Sequence, residues 1–136
     1  MIFVDASALI SIVSQEADAL GLAAVLEAEE TRLCSPISVW QTVAGLCRTH
    51  IFSVASAQAR VRDIGQILRL QMVPIGEREH ELALQAYAQF GKGRHPAGLN
   101  MRDCFAYACA KAQHAALLFK GDDFSKTDIR IAGAAR

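Results

Sequence analysis

What the chain lacks narrows its function before any motif is considered. It has no net charge, because 14 lysines and arginines balance 14 aspartates and glutamates across 136 residues. Overall basicity therefore gives no argument for a nucleic-acid partner, and any such partner needs a local basic patch. It has no C-x-x-C pair among Cys34, Cys47, Cys104 and Cys109. Cys104 and Cys109 stand roughly 140° apart around a helix axis, so they do not share a metal. All four read as small core or near-core residues, and nothing points to an oxidising compartment. No run approaches the ~18 apolar residues of a membrane span. The first residues lack the basic flank of a signal peptide. The expectation is a cytoplasmic protein without a membrane partner. No repeat, linker or low-complexity tract divides the chain, so one domain over 1–136 is expected.

What is present is an ordinary globular composition, 52% hydrophobic and 21% charged. A domain of this length buries roughly two thirds of its unfolded surface without disulfides. IFV at 2–4 reads as a short buried strand, followed by a helix over 6–13 and another over about 16–30, with Leu20, Val25 and Leu26 inward. TRLCS at 31–35 is a second strand, and a helix over about 37–49 carries the stripe Val39, Trp40, Val43 and Leu46. The segment 53–70 is strongly amphipathic, with Val54, Ala57, Val61, Ile64 and Leu68 at helical spacing. QMVPI at 71–75 is a third strand with Pro74 near its end, and a helix over 77–90 follows. GKGRHPAGL at 91–99 is a loop, Asn100 opens a helix to about His114, and AALLF at 115–119 is a strand. GDDFSKTD is a turn, and IRIA at 129–132 is a candidate edge strand.

Strands alternating with helices predict a three-layer α/β fold, a parallel sheet of about four to five strands with helices on both faces. In such sheets the site lies at the carboxyl ends of the strands. Asp5 follows the first strand, Asp122 and Asp123 follow the strand ending near Phe119, and Asp103 lies in the first turn of a late helix. Each has a structural alternative: Asp5 as a helix cap, Asp103 in a capping box with Asn100, and Gly121-Asp122-Asp123 as turn chemistry. Together they place carboxylates from three distant segments at one sheet edge. Clustered carboxylates repel unless a cation intervenes, and hard oxygen ligands with open positions suit Mg²⁺ or Mn²⁺. Such an ion activates water against a phosphodiester.

The opening VDASAL, the block GKGRHPAGLNMRDCFAYACAK and the ending LLFKGDDFSKTDI resemble PIN-domain ribonucleases, specifically the VapC-like toxins of bacterial toxin–antitoxin pairs. The resemblance runs over nearly the whole chain, and its central block is the most specific part. It implies a PIN-like fold with Asp5 and Asp103 as principal Mg²⁺ ligands, Mn²⁺ being a possible substitute. Asp122 would be the further acid, with Asp123 the less favoured choice. Ser7 would support the acids. The resemblance also implies an RNA substrate cut to 5′-phosphate and 3′-hydroxyl ends, a VapB-like antitoxin partner and a homodimer. One position departs from the family: where a glutamate is usual in the helix after the second strand, SPISVWQTVAG places Gln41. A glutamine brings no charge and cannot act as a base, so weaker metal binding is expected.

Lys92, Arg94, His95 and Arg102 crowd the entry to the Asp103 helix, a local basic patch suited to RNA phosphates or simply to solvent. The helical pair over 37–70 is either core or a surface for a second copy or an antitoxin helix. A haloacid-dehalogenase phosphatase would need an acid at Ser7, and a response-regulator receiver would need adjacent early acids, with Lys120 matching only its late lysine. The remaining alternative is a PIN fold whose nuclease is reduced or lost through Gln41, acting as an RNA- or antitoxin-binding module.

Overall fold

The computed structural model describes residues 1–133. In chain order the elements are β1 (Ile2–Val4), α1 (Ala6–Val13), α2 (Ala19–Glu27), β2 (Arg32–Cys34), α3 (Pro36–Thr49) and α4 (Val54–Ile67), then β3 (Leu70–Met72), α5 (Glu77–Phe90), α6 (Met101–Ala112) and β4 (Ala116–Leu118). The four strands are parallel in the order β3-β2-β1-β4. The chain therefore steps outward from β1 through β2 to β3, then returns to place β4 on the other side of β1. That reversal opens a crevice beyond the carboxyl ends of β1 and β4, where ligands of such sheets bind.

The pleat sorts side chains between the two helical layers. Phe3, Leu33 and Leu117 join the core made with α5 and α6, where Ala106, Ala108 and Ala110 keep the α6 surface thin. Ile2, Val4, Cys34 and Leu118 point the other way, onto Leu9 and Ile12 of α1 and Leu26 of α2. A third cluster, Val13, Leu46, Ala57 and Val61, ties α1 to the α3–α4 pair. This is the expected three-layer parallel arrangement, with four strands. Cys34, Cys104 and Cys109 are buried and Cys47 is partly so, all as free thiols.

Several boundaries and burials differ from expectation. α2 begins at Ala19, because Gln15 takes a positive φ of 56° and Glu16 and Asp18 form the turn. It ends at Glu27, where the Arg32 guanidinium collects the carbonyls of Glu27 and Glu29. Leu20, expected to point inward, is 87% exposed, and of the 37–70 stripe, which the sequence leaves open to either core or surface, Trp40 is 68% and Val54 66% exposed. Pro74 falls beyond β3. IRIA makes a single parallel bridge, Ile131 to Leu117, rather than a strand. Gly133 at φ +71° turns the chain there, beside Val25 of α2. Among the described residues, no helix is long and apolar enough to cross a membrane.

Candidate metal and active site

β1 delivers Asp5 to the crevice. The Asp5 N–H donates to the Leu118 carbonyl at 2.9 Å, extending the β1–β4 pairing by one residue. The same residue is the N-cap of α1, so the cap reading and the site reading are both true. Its Oδ2 accepts from the Ser7 N–H at 3.1 Å and the Ser7 hydroxyl at 2.6 Å. Ser7 Oγ in turn accepts from the Lys120 N–H at 3.0 Å, which ties the cap to the loop after β4. Asp5 is 6% exposed. Burial raises its pKa, the Ser7 and Ala6 hydrogen bonds oppose this, and nearby Asp123 adds to the rise.

Asp103 arrives on the first turn of α6. Asn100 caps that helix, accepting from the Asp103 N–H at 2.9 Å, while Asp103 Oδ2 accepts from the Asn100 N–H at 3.1 Å. The reciprocal pair fixes the carboxylate at the positive end of the helix dipole. Its pKa is nevertheless pushed up to about 6, chiefly by burial, with Asp123 and Asp5 adding and the Asn100 N–H and Arg102 opposing. Buried Asp5, half-buried Asp103 and a third acid thus sense one another's charge.

That third acid is Asp123. It lines the cleft of about 210 Å³ that holds Asp5 and Asp103, whereas Asp122 is not among the cleft's described lining residues. This reverses the order expected from sequence. Gly121, at φ +100°, redirects the chain after β4, and the Asp122 carbonyl closes a turn with Ser125 through its N–H at 3.1 Å and its hydroxyl at 2.7 Å. Asp122 carries the turn, and its neighbour carries the charge into the cleft. Buried Phe124 anchors the loop, edge-on to Phe119.

Gln41 and Ser7 also line the cleft. The basic patch is divided. Arg102 lines the acidic cleft. Lys92 lines a separate groove between α5 and α6. Arg94 lies over the Tyr87 ring at 5.1 Å. His95 packs edge-on to Phe90, and its Nδ1 accepts from the Ala97 N–H at 3.0 Å. The structure thus brings one of the four to the acids. Sequence reasoning missed Arg48 and underused Lys120, both of which line the cleft. Arg48 follows Gln41 by seven residues and so shares its helix face, a signal that has meaning only once that face is known to border the acids.

The α3–α4 pair carries both of its expected faces. Leu46, Ala57 and Val61 are core, while a largely apolar groove of about 740 Å³ is lined by Trp40, Val43, Cys47, Val54 and Met72.

Among the described residues no three His, Cys, Asp or Glu side chains close into a metal cage of their own. The donor set fits a different kind of site. Three carboxylates face one small polar cleft, and two of them, Asp5 and Asp103, are held above their ordinary pKa by desolvation and the repulsion of neighbouring acids. A divalent ion there would relieve that repulsion. Mg²⁺ is commonly held by one or two carboxylates, with waters and substrate phosphate completing its shell.

Comparison with known proteins identifies the family. The PIN-domain family model matches residues 2–130. The chain is 36% identical over 129 residues to VapC ribonuclease Mb0640 of Mycobacterium bovis, covering 93% of this chain and 94% of that one. It is 36% identical over 141 residues to VapC ribonuclease R02377 of Rhizobium meliloti, covering 95% and 99%. Its fold is similar to Mycobacterium tuberculosis VapC20, a sarcin-ricin loop cleaving toxin, with TM-score 0.72, 17% identity and coverage of 95% and 96%. It is also similar to VapBC2 of Rickettsia felis bound to a promoter DNA fragment, with TM-score 0.74, 13% identity and coverage of 96% of each chain. With the acids at the switch point of a four-stranded parallel sheet, the chain belongs to the PIN-domain family and, within it, to the VapC ribonucleases.

Proposed function

We propose that this protein is a metal-dependent endoribonuclease acting as the toxin of a toxin–antitoxin pair, with Asp5, Asp103 and Asp123 holding Mg²⁺, or Mn²⁺ in its place. The observation that carries the reading is the convergence of three carboxylates from β1, α6 and the loop after β4 on one polar cleft. The ion supplies charge stabilisation and a water of lowered pKa. The residues do the rest. Ser7 fixes the Asp5 carboxylate, Asn100 fixes that of Asp103, and Arg102 meets RNA phosphate. Water adds to a backbone phosphorus as the bond to the 3′-oxygen breaks, leaving 5′-phosphate and 3′-hydroxyl ends without a covalent enzyme intermediate.

The relatives named as ribonucleases favour an active enzyme over a binding module that has lost its chemistry. Solved neighbours include a toxin–antitoxin complex from Klebsiella pneumoniae, which supports an antitoxin partner here. The apolar groove over α3 and α4 suits a VapB-like helix. A homodimer is proposed on the resemblance alone.

The test is cleavage of a mixed pool of single-stranded and structured RNA with Mg²⁺, with Mn²⁺ and with chelator, wild type beside Asp5→Asn. Cuts that require metal and vanish in the variant are expected. A folded, antitoxin-free protein that cuts nothing would move the reading to the binding module.

A further inference from the structure

Three cations line the acidic cleft: Arg48, Arg102 and Lys120. One is already engaged. The Lys120 ammonium binds Glu16 at 2.5 Å and Asp18 at 3.4 Å. Arg102 is exposed on the first turn of α6, where it is proposed to meet RNA phosphate, and makes no ion pair among the described residues. Arg48 makes no ion pair among the described residues.

Its placement is built by the helix it stands on. Gln41, Gly45 and Arg48 follow one another along a single face of α3. A Cβ at Gly45 would stand 2.5 Å from Ile10 Cδ1 and 3.9 Å from Arg48 Nη2. The guanidinium therefore lies back along α3 over a position with no side chain, the direction in which helical side chains lean. Ile10, beside it, is also part of the cleft wall. The α3 wall of an otherwise acidic site is thus an uncharged glutamine followed by an uncommitted guanidinium.

We infer that Arg48 is a catalytic residue, its guanidinium binding a non-bridging oxygen of the scissile phosphate and stabilising the charge that gathers there. The inference rests on the ribonuclease reading and adds to it a residue that substrate must touch. A phosphodiester is an anion and gains negative charge as water adds to phosphorus and the 3′-oxygen departs. Three carboxylates nearby make that charge harder to accumulate, and Gln41 contributes no ligand charge toward a second metal ion. A guanidinium stays protonated throughout and presents parallel N–H donors that match phosphate oxygens. Arg48 neither gives nor takes a proton. The attacking water's proton goes to solvent, and the leaving 3′-oxygen is protonated from solvent.

The test compares wild type, Arg48→Ala and Arg48→Lys on an RNA that the wild type cuts in the mixed pool, with saturating Mg²⁺. Mn²⁺ binding without RNA is measured by calorimetry. Arg48→Ala is expected to lower kcat about 100-fold or more, as loss of one preorganised donor does. KM should stay within about threefold, the signature of an interaction made in the transition state. Arg48→Lys should recover part of the loss, and Mn²⁺ should bind Arg48→Ala as tightly as wild type or more tightly. An unchanged kcat, an effect on KM alone, or a rate loss matched by weaker Mn²⁺ binding would overturn the assignment while leaving the nuclease in place. A wild type that binds Mn²⁺ yet cuts no RNA would overturn the nuclease reading and Arg48 with it.

Discussion

Ser7 holds Asp5 by two hydrogen bonds to the same carboxylate oxygen, its N–H at 3.1 Å and its hydroxyl at 2.6 Å from Oδ2. The hydroxyl accepts in turn from the Lys120 N–H, so β1, α1 and the loop after β4 are fastened at the point where the metal is proposed to bind. A side chain in that position sets the direction of a ligand rather than its charge. Ser7→Ala is therefore expected to fold, to lose about 1 kcal/mol of stability, and to weaken Mn²⁺ affinity or activity about 10-fold or more. Calorimetric Mn²⁺ titration with a melting curve checks both halves.

The two acids after β4 separate cleanly. Asp123→Asn is expected to weaken Mn²⁺ binding and reduce cleavage by about tenfold or more, as loss of a ligand charge does. Asp122→Asn should stay within about threefold of wild type, because it keeps the backbone carbonyl that makes the turn. Equal losses in the two variants would remove the distinction.

Asp103 predicts an unusual pH dependence. Its carboxyl titrates at about 6 in the folded chain against an ordinary 3.8. Between these values the folded state holds a proton that the unfolded chain has released. Metal-free stability therefore falls as pH rises through that window and stays reduced above it. In chelator at pH 7.5, Asp103→Asn should be more stable than wild type by on the order of 1 kcal/mol after solvent screening of this half-buried group. Melting curves from pH 4 to 8 would show the slope in wild type and its reduction in the variant. Mg²⁺ should raise the wild-type melting temperature more at pH 7.5 than at pH 5, because the ligands must lose their protons.

Gln41 faces the cleft without charge. Gln41→Glu is expected to bind Mn²⁺ about tenfold more tightly and to reach half-maximal cleavage at lower Mg²⁺. A Mg²⁺ titration of cleavage rate distinguishes this from an unchanged site.

Trp40 is 68% exposed at the rim of the α3–α4 groove. Trp40→Glu should alter the melting point little, since little of the ring is buried. Loss of a buried aromatic anchor should weaken binding of the cognate antitoxin by about 30-fold or more. Titration of purified antitoxin onto both proteins measures it.

The order of elements, the parallel sheet and the positions of Asp5 and Asp103 were legible in the chain because local rules set them. Short apolar runs make buried strands, helical spacing makes the covering layers, and Asp5 as a cap and Asp103 three residues after one stand at signals that fix where a helix begins. The sequence could not say which side of α3 meets solvent. Trp40 continues its apolar stripe, yet the stripe is wider than the face that the core can cover, and the tryptophan is left outside. Nor could it choose between Asp122 and Asp123, which differ by one residue in a loop whose path depends on the positive φ of Gly121. It hid Arg48 as well, because a seven-residue spacing acquires meaning only when one knows which face of α3 borders the acids. Sequence alone determined which groups are available and which element carries each. Tertiary packing decided which of them meet, because distance between remote segments is fixed by how layers bury their apolar faces and not by any local preference.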